Sequence, residues 1–289
     1  MKPVVCLFIS LALTVLLTAC TRNMLDVSGC YYPFELYEER PVIALTANCM
    51  KMILLVDTGS HVSYIFRSGL KKIVSPDLVK KADGNYDIGH PMTITTDFYP
   101  GYLKKTPVTF VYSPSVKETP GIDGILGIDA LVNCDYLVIN YKKKQVCMID
   151  SEPVCKYGFC AIPDETCFEL PLCFENTTII AKLDTGSDAN QLYVQLPKYP
   201  KRYREKTVLQ STLYNSGIYA YRRMYVLNYT FPGNSHTFSG PFHDMHAYAE
   251  ELFPSSAGKV RPDCLLGYPF FKKNVVCLDF KHHRIGILY

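Results

Sequence analysis

The sequence predicts an all-β protein built from two similar halves, with few and short helices. An apolar run that ends in Asp-Thr-Gly-Ser occurs twice, with its aspartates at Asp57 and Asp184. Each copy is followed by a second signature, an apolar stretch that contains Leu-Gly, at Leu126 and Leu266. The chain also holds 22 tyrosines and no tryptophan, which fits a β-rich chain. Two signatures that recur in the same order indicate a duplicated fold.

The first copy, LLVDTGSHVSYIF, places a carboxylate at the end of an apolar strand. Residues 53–56 have the length and branching of a strand buried on both faces, and Gly59 ends it. A charged Asp57 at that point is costly to desolvate unless it is paired, hydrogen-bonded or protonated. Asp-x-Gly is also an ordinary turn composition, so one copy alone leaves a solvent-exposed turn open.

Local patterns predict connecting structure in each half. The stretch SPDLVKK has Pro76 at a first helical position, which predicts a short helix. Residues 84–102 and the alternating stretch around the Asn-Ser-Gly at 215–217 each predict a β-hairpin. Asp123 and Asp263 precede the two Leu-Gly signatures, and we expect both to be structural.

The N-terminus predicts export and lipidation. A lysine is followed by an apolar stretch from Val4 to Leu17, which is too short for a membrane span and typical of an export signal. Leu17-Thr18-Ala19-Cys20 resembles the lipobox of bacterial lipoproteins, in which the cysteine is lipidated and becomes the N-terminal residue after cleavage. The predicted location is therefore a bacterial envelope membrane, facing the periplasm, with Cys20 as the anchor. A plain secreted protein with an incidental cysteine is the alternative.

The repeat and the composition divide the chain into five segments. These are a signal peptide (1–19), a tether (20–40), a first half (41–150), a linker (151–165) and a second half (166–289). The first strand of the mature chain is expected at Pro41–Leu45. The linker is marked by its prolines and cysteines.

Charge and cysteine content limit the class of partner. The net charge is +3 and no long basic run occurs, so nucleic acid is not an expected partner. Of the 12 cysteines, Cys6 leaves with the signal and Cys20 takes lipid, and the even remainder in an exported chain predicts disulfides. Local candidates are Cys155–Cys160, Cys167–Cys173 and Cys134–Cys147, although spacing does not fix the pairing. No C-x-x-C pair occurs, so we expect no metal site.

Taken together, the two copies resemble the aspartic peptidases, the family of pepsins and retropepsins. The resemblance covers nearly the whole mature chain in outline, although its specific motifs are confined to the two signatures of each half. It implies a bilobal pepsin-like fold made of two retropepsin-sized β-barrel lobes, whose Asp-Thr-Gly loops meet across a pseudo-two-fold axis. It also implies a monomer with an intramolecular active site, a polypeptide substrate and no cofactor.

The resemblance assigns a role to each residue of the two tetrapeptides. Asp57 and Asp184 match the catalytic aspartates. The threonines match those that hydrogen-bond across the axis, the glycines those whose N–H groups reach the carboxylates, and the serines the hydroxyl supports behind them. These supporting residues are Thr58, Gly59, Ser60, Thr185, Gly186 and Ser187. Candidates for a flap over the substrate are Tyr86, Tyr99, Tyr102 and Tyr214, with the alternative that each tyrosine simply covers a sheet.

Elementary chemistry agrees with this assignment. Two carboxylates about 3 Å apart cannot both ionise cheaply, so one keeps a proton and their pKa values split. One carboxylate then takes a proton from a water between them, while the other gives a proton to the peptide carbonyl oxygen. The pair titrates as a unit, so the sequence does not say which aspartate holds the proton.

Three functions remain open at this point. The first is an exported, membrane-tethered aspartic endopeptidase that hydrolyses peptide bonds with a water activated by Asp57 and Asp184. The second is a non-catalytic module that binds a peptide on the same scaffold, and it predicts a blocked cleft or carboxylates too far apart. The third is a disulfide-rich surface or adhesion protein, which leaves the paired aspartates unexplained.

Overall fold

The computed structural model is mainly β, with two sheets, one of them a curled half-barrel, and a few short helices. It describes residues 29–84, 92–98, 107–112, 118–155, 159–161, 168–175, 177–197, 202–209, 218–252 and 261–288. The prediction of a β protein with few short helices is confirmed. None of the helices within these ranges is long and apolar enough to cross a membrane.

The first half of the sequence forms strands interrupted by short helices. Its strands are β1 (Gly29–Tyr37), β2 (Arg40–Ala47), β3 (Met50–Val56), β4 (Tyr64–Ile65), β5 (Met92–Thr96), β6 (Val108–Tyr112), β7 (Gly124–Leu126), β8 (Tyr136–Asn140) and β9 (Gln145–Ile149). Its helices are α1 (Arg67–Ile73), α2 (Pro76–Gly84) and α3 (Ile128–Leu131). Helix α2 begins at Pro76, as predicted, because proline has no N–H to lose at the first helical position.

The second half follows a similar order. Its strands are β10 (Phe159–Ala161), β11 (Glu169–Phe174), β12 (Thr177–Leu183), β13 (Gln191–Leu192), β14 (Arg202–Leu209), β15 (Ile218–Tyr229), β16 (Phe238–Asp244), β17 (Cys264–Leu266), β18 (Val276–Asp279) and β19 (Arg284–Ile287). Its helices are α4 (Ala249–Leu252), preceded by a 3₁₀ turn (His246–Tyr248), and α5 (Tyr268–Phe271). Strands β14 and β15 pair antiparallel, which confirms the second predicted hairpin.

The two halves share one sheet. The 12-stranded sheet has the order β10-β19-β18-β8-β9-β1-β2-β3-β7-β4-β6-β5, and the 7-stranded sheet has the order β11-β12-β17-β13-β16-β15-β14. Strand β18 of the second half pairs antiparallel with β8 of the first, with Leu278 opposite Leu137. Because both residues are fully buried, this junction joins the halves through the main core.

One strand arrangement occurs twice, once around each Asp-Thr-Gly-Ser. Strand β3 runs parallel to β7, which pairs antiparallel with β4. In the same way β12 runs parallel to β17, which pairs antiparallel with β13. In each copy an aspartate holds the parallel pair, since Asp123 Oδ2 accepts from Ile53 N and Asp263 Oδ2 from Ile180 N, both at 2.8 Å. This agrees with the structural role that the sequence predicts for the two aspartates.

The segments predicted as a tether and as a linker each contain a strand. Strand β1 lies within the predicted tether 20–40, where Tyr32 and Phe34 are buried, so the folded part begins before the strand expected at Pro41. Strand β10 lies within the predicted linker 151–165 and pairs with β19. The sequence does not predict strand β1 because it lacks a clear alternation of polar and apolar residues. Pro33 stands between the two buried aromatic residues, where a polar residue is expected.

Two of the candidate disulfides are also absent, and the third cannot be judged because Cys167 lies outside the described residues. Cys134, Cys147 and Cys155 are free thiols, which excludes the pairings Cys134–Cys147 and Cys155–Cys160. Cys134 packs in the main core, with its thiol directed to the carbonyl oxygen of Leu131, whereas Cys147 packs in a separate cluster. Nearness along the chain therefore does not bring these thiols together, because their side chains enter different packing clusters.

Candidate active site

The Leu-Gly signatures hold the two aspartate loops. The N–H group of Asp57 donates to the carbonyl oxygen of Leu126, and the N–H group of Asp184 donates to that of Leu266, both at 3.0 Å. The glycine that follows each leucine packs directly against the loop: a Cβ on Gly127 would lie 2.9 Å from the Ser60 carbonyl oxygen. The signatures and the tetrapeptides are therefore parts of one repeated unit.

The structure brings the two carboxyl groups together. Asp57 and Asp184 hydrogen-bond to each other through their side chains. Each faces the glycine of the other copy, because a Cβ on Gly186 would lie 2.5 Å from the Asp57 Cγ and one on Gly59 would meet the Asp184 carboxyl group. Only glycine leaves room for this approach. The pair therefore assembles from both halves of the chain.

The two threonines lock the loops to each other by a reciprocal network. Thr58 N donates to Thr185 Oγ1 at 3.0 Å, and Thr185 N donates to Thr58 Oγ1 at 3.1 Å. Each hydroxyl also donates across the junction, Thr58 to Leu183 O at 3.0 Å and Thr185 to Val56 O at 2.7 Å. Both threonines are buried, so these four bonds have no competition from water.

Backbone amides serve the carboxyl groups, while the serine hydroxyls do not. Oδ1 of Asp57 accepts from Gly59 N at 2.8 Å and from Ser60 N at 3.1 Å. The hydroxyls of Ser60 and Ser187 instead donate to the carbonyl oxygens two residues on, both at 2.8 Å. The serine side chains therefore support their own loops, and the role that the resemblance gives them stays a prediction.

Burial raises the pKa of both aspartates. Asp57 is buried and Asp184 partly exposed. Desolvation raises the pKa of Asp184 to about 8, and the charge of Asp57 adds to the increase. The pKa of Asp57 is raised by burial too, but the amides of Gly59 and Ser60 and the hydrogen bond from Asp184 oppose the increase. The pair therefore shares one proton at neutral pH, and the amides of Gly59 and Ser60 favour the charged form of Asp57.

This shift predicts a pH-dependent stability. The unfolded chain releases the Asp184 proton near pH 4, whereas the folded chain keeps it up to about pH 8. The folded state thus binds more protons in between, so the free energy of unfolding falls as pH rises from 4 to 8. We expect Asp184→Asn to remove roughly 2 to 5 kcal/mol of this fall, measured by denaturant unfolding at each pH. If the free energy of unfolding changes with pH in the same way in the variant and in the original protein, the raised pKa of Asp184 is contradicted.

A lysine and a histidine also lie at the site, and sequence analysis missed both. Lys182 Nζ is 3.4 Å from His61 Nε2, so the two halves contact each other beside the aspartate pair. The charge of Lys182 lowers the pKa of both aspartates. The signal that could have identified Lys182 is its place in the repeat, two positions before Asp184, where the first copy has the apolar Leu55.

The remaining predicted residues lie outside the described part of the chain. They are the flap candidates Tyr86, Tyr99, Tyr102 and Tyr214 and the lipidation candidate Cys20. Their roles stay predictions.

Comparison with known proteins adds no name to this geometry. The chain matches no protein-family model, and the comparison with curated proteins found no match. The chemistry of the site must therefore be argued from its own residues.

Proposed function

We propose that this protein is an aspartic endopeptidase, which hydrolyses peptide bonds with a water activated by Asp57 and Asp184. The observation that carries the proposal is the pair of carboxyl groups that hydrogen-bond to each other at the junction of the two copies. One shared proton gives the site an acid and a base at the same place. Hydrolysis of an amide by general acid–base catalysis needs both.

Each carboxyl group has its own task at the start of the reaction. Asp57, whose charge is stabilised by the amides of Gly59 and Ser60, accepts a proton from a water between the two groups. Asp184 donates its proton to the peptide carbonyl oxygen as the water oxygen bonds to the carbonyl carbon. The resulting tetrahedral intermediate then breaks its C–N bond while the leaving nitrogen takes the proton from Asp57, and one hydroxyl of the intermediate returns a proton to Asp184 as the carboxylic acid product forms. No covalent bond to the protein forms.

The proposal extends to the finer architecture and to the location. The repeated strand arrangement and the threonine network support a bilobal pepsin-like fold of two β-barrel lobes with the pair between them. An extended polypeptide is the substrate, and the chain acts as a monomer, since both aspartates come from one molecule. The signal-like N-terminus supports export and a lipid anchor at Cys20 in a bacterial envelope membrane.

The proposal is tested with soluble protein that starts after Cys20. A diverse peptide library is incubated with it between pH 3 and 7.5, and the products are identified by mass spectrometry. We expect cuts inside peptides, and inhibition by a peptide in which a secondary alcohol replaces the scissile carbonyl. Such a group resembles the tetrahedral intermediate, and analogues of this kind bind more tightly than substrates.

Two outcomes would contradict this proposal. Cleavage that the alcohol analogue does not inhibit would point to another mechanism or a contaminant. Peptide binding without any cleavage would favour the alternative, a non-catalytic peptide-binding module on the same scaffold.

A further inference from the structure

Lys182 puts a positive charge beside the aspartate pair. It lies two residues before Asp184 at the end of β12, and side chains alternate along a strand, so the two share a face. Ala181 and Leu183 are buried on the opposite face, whereas Lys182 is partly exposed. Its charge lowers the pKa of both aspartates, which is consistent with an amine close to the pair.

His61 of the first half holds this amine in place. Lys182 Nζ lies 3.4 Å from His61 Nε2. Because an ammonium group can only donate, Nε2 accepts the bond and the ring proton lies on Nδ1. The ammonium group has three donors, and this contact uses one of them. The amine is thereby fixed beside the pair and can donate to a further group.

The repeat does not duplicate this charge on the other side of the pair. The position of Lys182 is occupied in the first copy by Leu55, which is 3% exposed and packs in an apolar cluster. The position of His61 is occupied in the second copy by Asp188, which is exposed. Burial and the charge of Asp188 raise the pKa of Glu39, and the charge of Lys272 lowers it, so the region around Glu39 carries charges of both signs. The contact of Lys182 with His61 therefore has no counterpart at the equivalent positions of the other copy.

We propose that Lys182, positioned by His61, selects peptides with an acidic side chain next to the bond that is cut. This inference rests on the proposed peptidase function and adds its substrate class. A carboxylate against the ammonium group forms a charge-assisted hydrogen bond, the stronger kind, in a partly buried place where salt screens it less. The equivalent position of the first copy is the apolar Leu55, so we expect the preference on one side of the cut bond only.

The test uses the full chain purified in detergent and a peptide that it cuts. Versions of the peptide carry Glu, Gln, Leu or Lys on each side of the cut bond. We expect kcat/KM for Glu to exceed that for Gln by about tenfold or more on one side only. The ratio should fall to about one in Lys182→Met. Lys281→Met, which changes an exposed lysine paired with Asp135, should keep the original ratio.

A second readout separates a substrate contact from a structural effect. Without the charge of Lys182 the pKa of both aspartates rises, so Lys182→Met should move the alkaline limb of the pH profile for the Leu peptide to higher pH. His61→Gln, which retains a hydrogen-bond acceptor, should keep more of the Glu preference than Lys182→Met. A lysine that only supports the fold would change neither the limb nor the ratio.

The outcomes distinguish this inference from the function on which it rests. An equal Glu-to-Gln ratio in the original protein and Lys182→Met overturns the inference and leaves the peptidase intact. If no peptide is cut, binding to the Asp184→Asn variant is measured by fluorescence anisotropy. Tighter binding of the Glu peptide that disappears when Lys182→Met is added supports the basic subsite and overturns catalysis alone. Equal binding of all versions overturns both.

Discussion

Asp57→Asn and Asp184→Asn are each expected to lower kcat/KM for peptide cleavage by about 10²–10⁴-fold. Asparagine keeps the shape of aspartate but can neither accept the proton from the water nor give one to the carbonyl oxygen. The two variants should be similarly inactive, because the acid and the base work in one step and the loss of either stops it. Activity is measured on one peptide from the library at its optimal pH.

Loss of activity must not result from loss of the fold. Removing one of the two adjacent carboxyl groups relieves their repulsion, so both asparagine variants should unfold at or above the temperature of the original protein at pH 7. The matched control is Asp135→Asn, the same chemical change at an exposed ion pair with Lys281. It should leave kcat/KM within about twofold, since exposed pairs contribute little. Asparagine variants that cut as well as the original protein would exclude the proposed mechanism.

The meeting of Asp57 and Asp184 is the part of the site that sequence analysis predicts best. Two copies of one tetrapeptide with one downstream signature predict two copies of one local arrangement, and the resemblance to aspartic peptidases implies that the two loops meet. The hydroxyl of Thr58 and the amide of Gly59 follow from the same pattern, since Thr58 donates to Leu183 of the other copy and Gly59 donates to Asp57 of its own copy. The contact between the two copies can thus be predicted once both copies are identified in the sequence and matched to the family.

Features that break the repeat are the ones that sequence analysis misses. Lys182 and His61 stand where the other copy has Leu55 and Asp188, so matching the copies hides their contact. Strand β1 has no repeat signature at all, and its pairing with β9 depends on residues more than a hundred positions away. The prediction of disulfides fails for the same reason, because whether two thiols meet depends on the packing cluster that each side chain enters.

Thr58→Val is expected to reduce the free energy of unfolding by about 2–4 kcal/mol. Valine has nearly the shape of threonine but lacks the hydroxyl, so the Leu183 carbonyl and the Thr185 amide lose their partners in a buried place. Thr58→Ser is the matched control, because it keeps the hydroxyl and removes only a methyl group, about 1 kcal/mol. Equal losses in the two variants would show that methyl packing, and not hydrogen bonding, stabilises the junction.

The double variant tests whether the network acts as one unit. Thr58→Val and Thr185→Val each break two of the four bonds, so independent bonds predict that their losses add. We expect less than the sum, because the first substitution already opens the junction and admits water to the groups that the second would leave unpaired. Peptide cleavage should fall by about 10²-fold even in single variants that remain folded, since a displacement of about 1 Å suffices for such a loss. Additive losses with unchanged cleavage would mean that the aspartates are held by their own loops and that the threonines only join the halves.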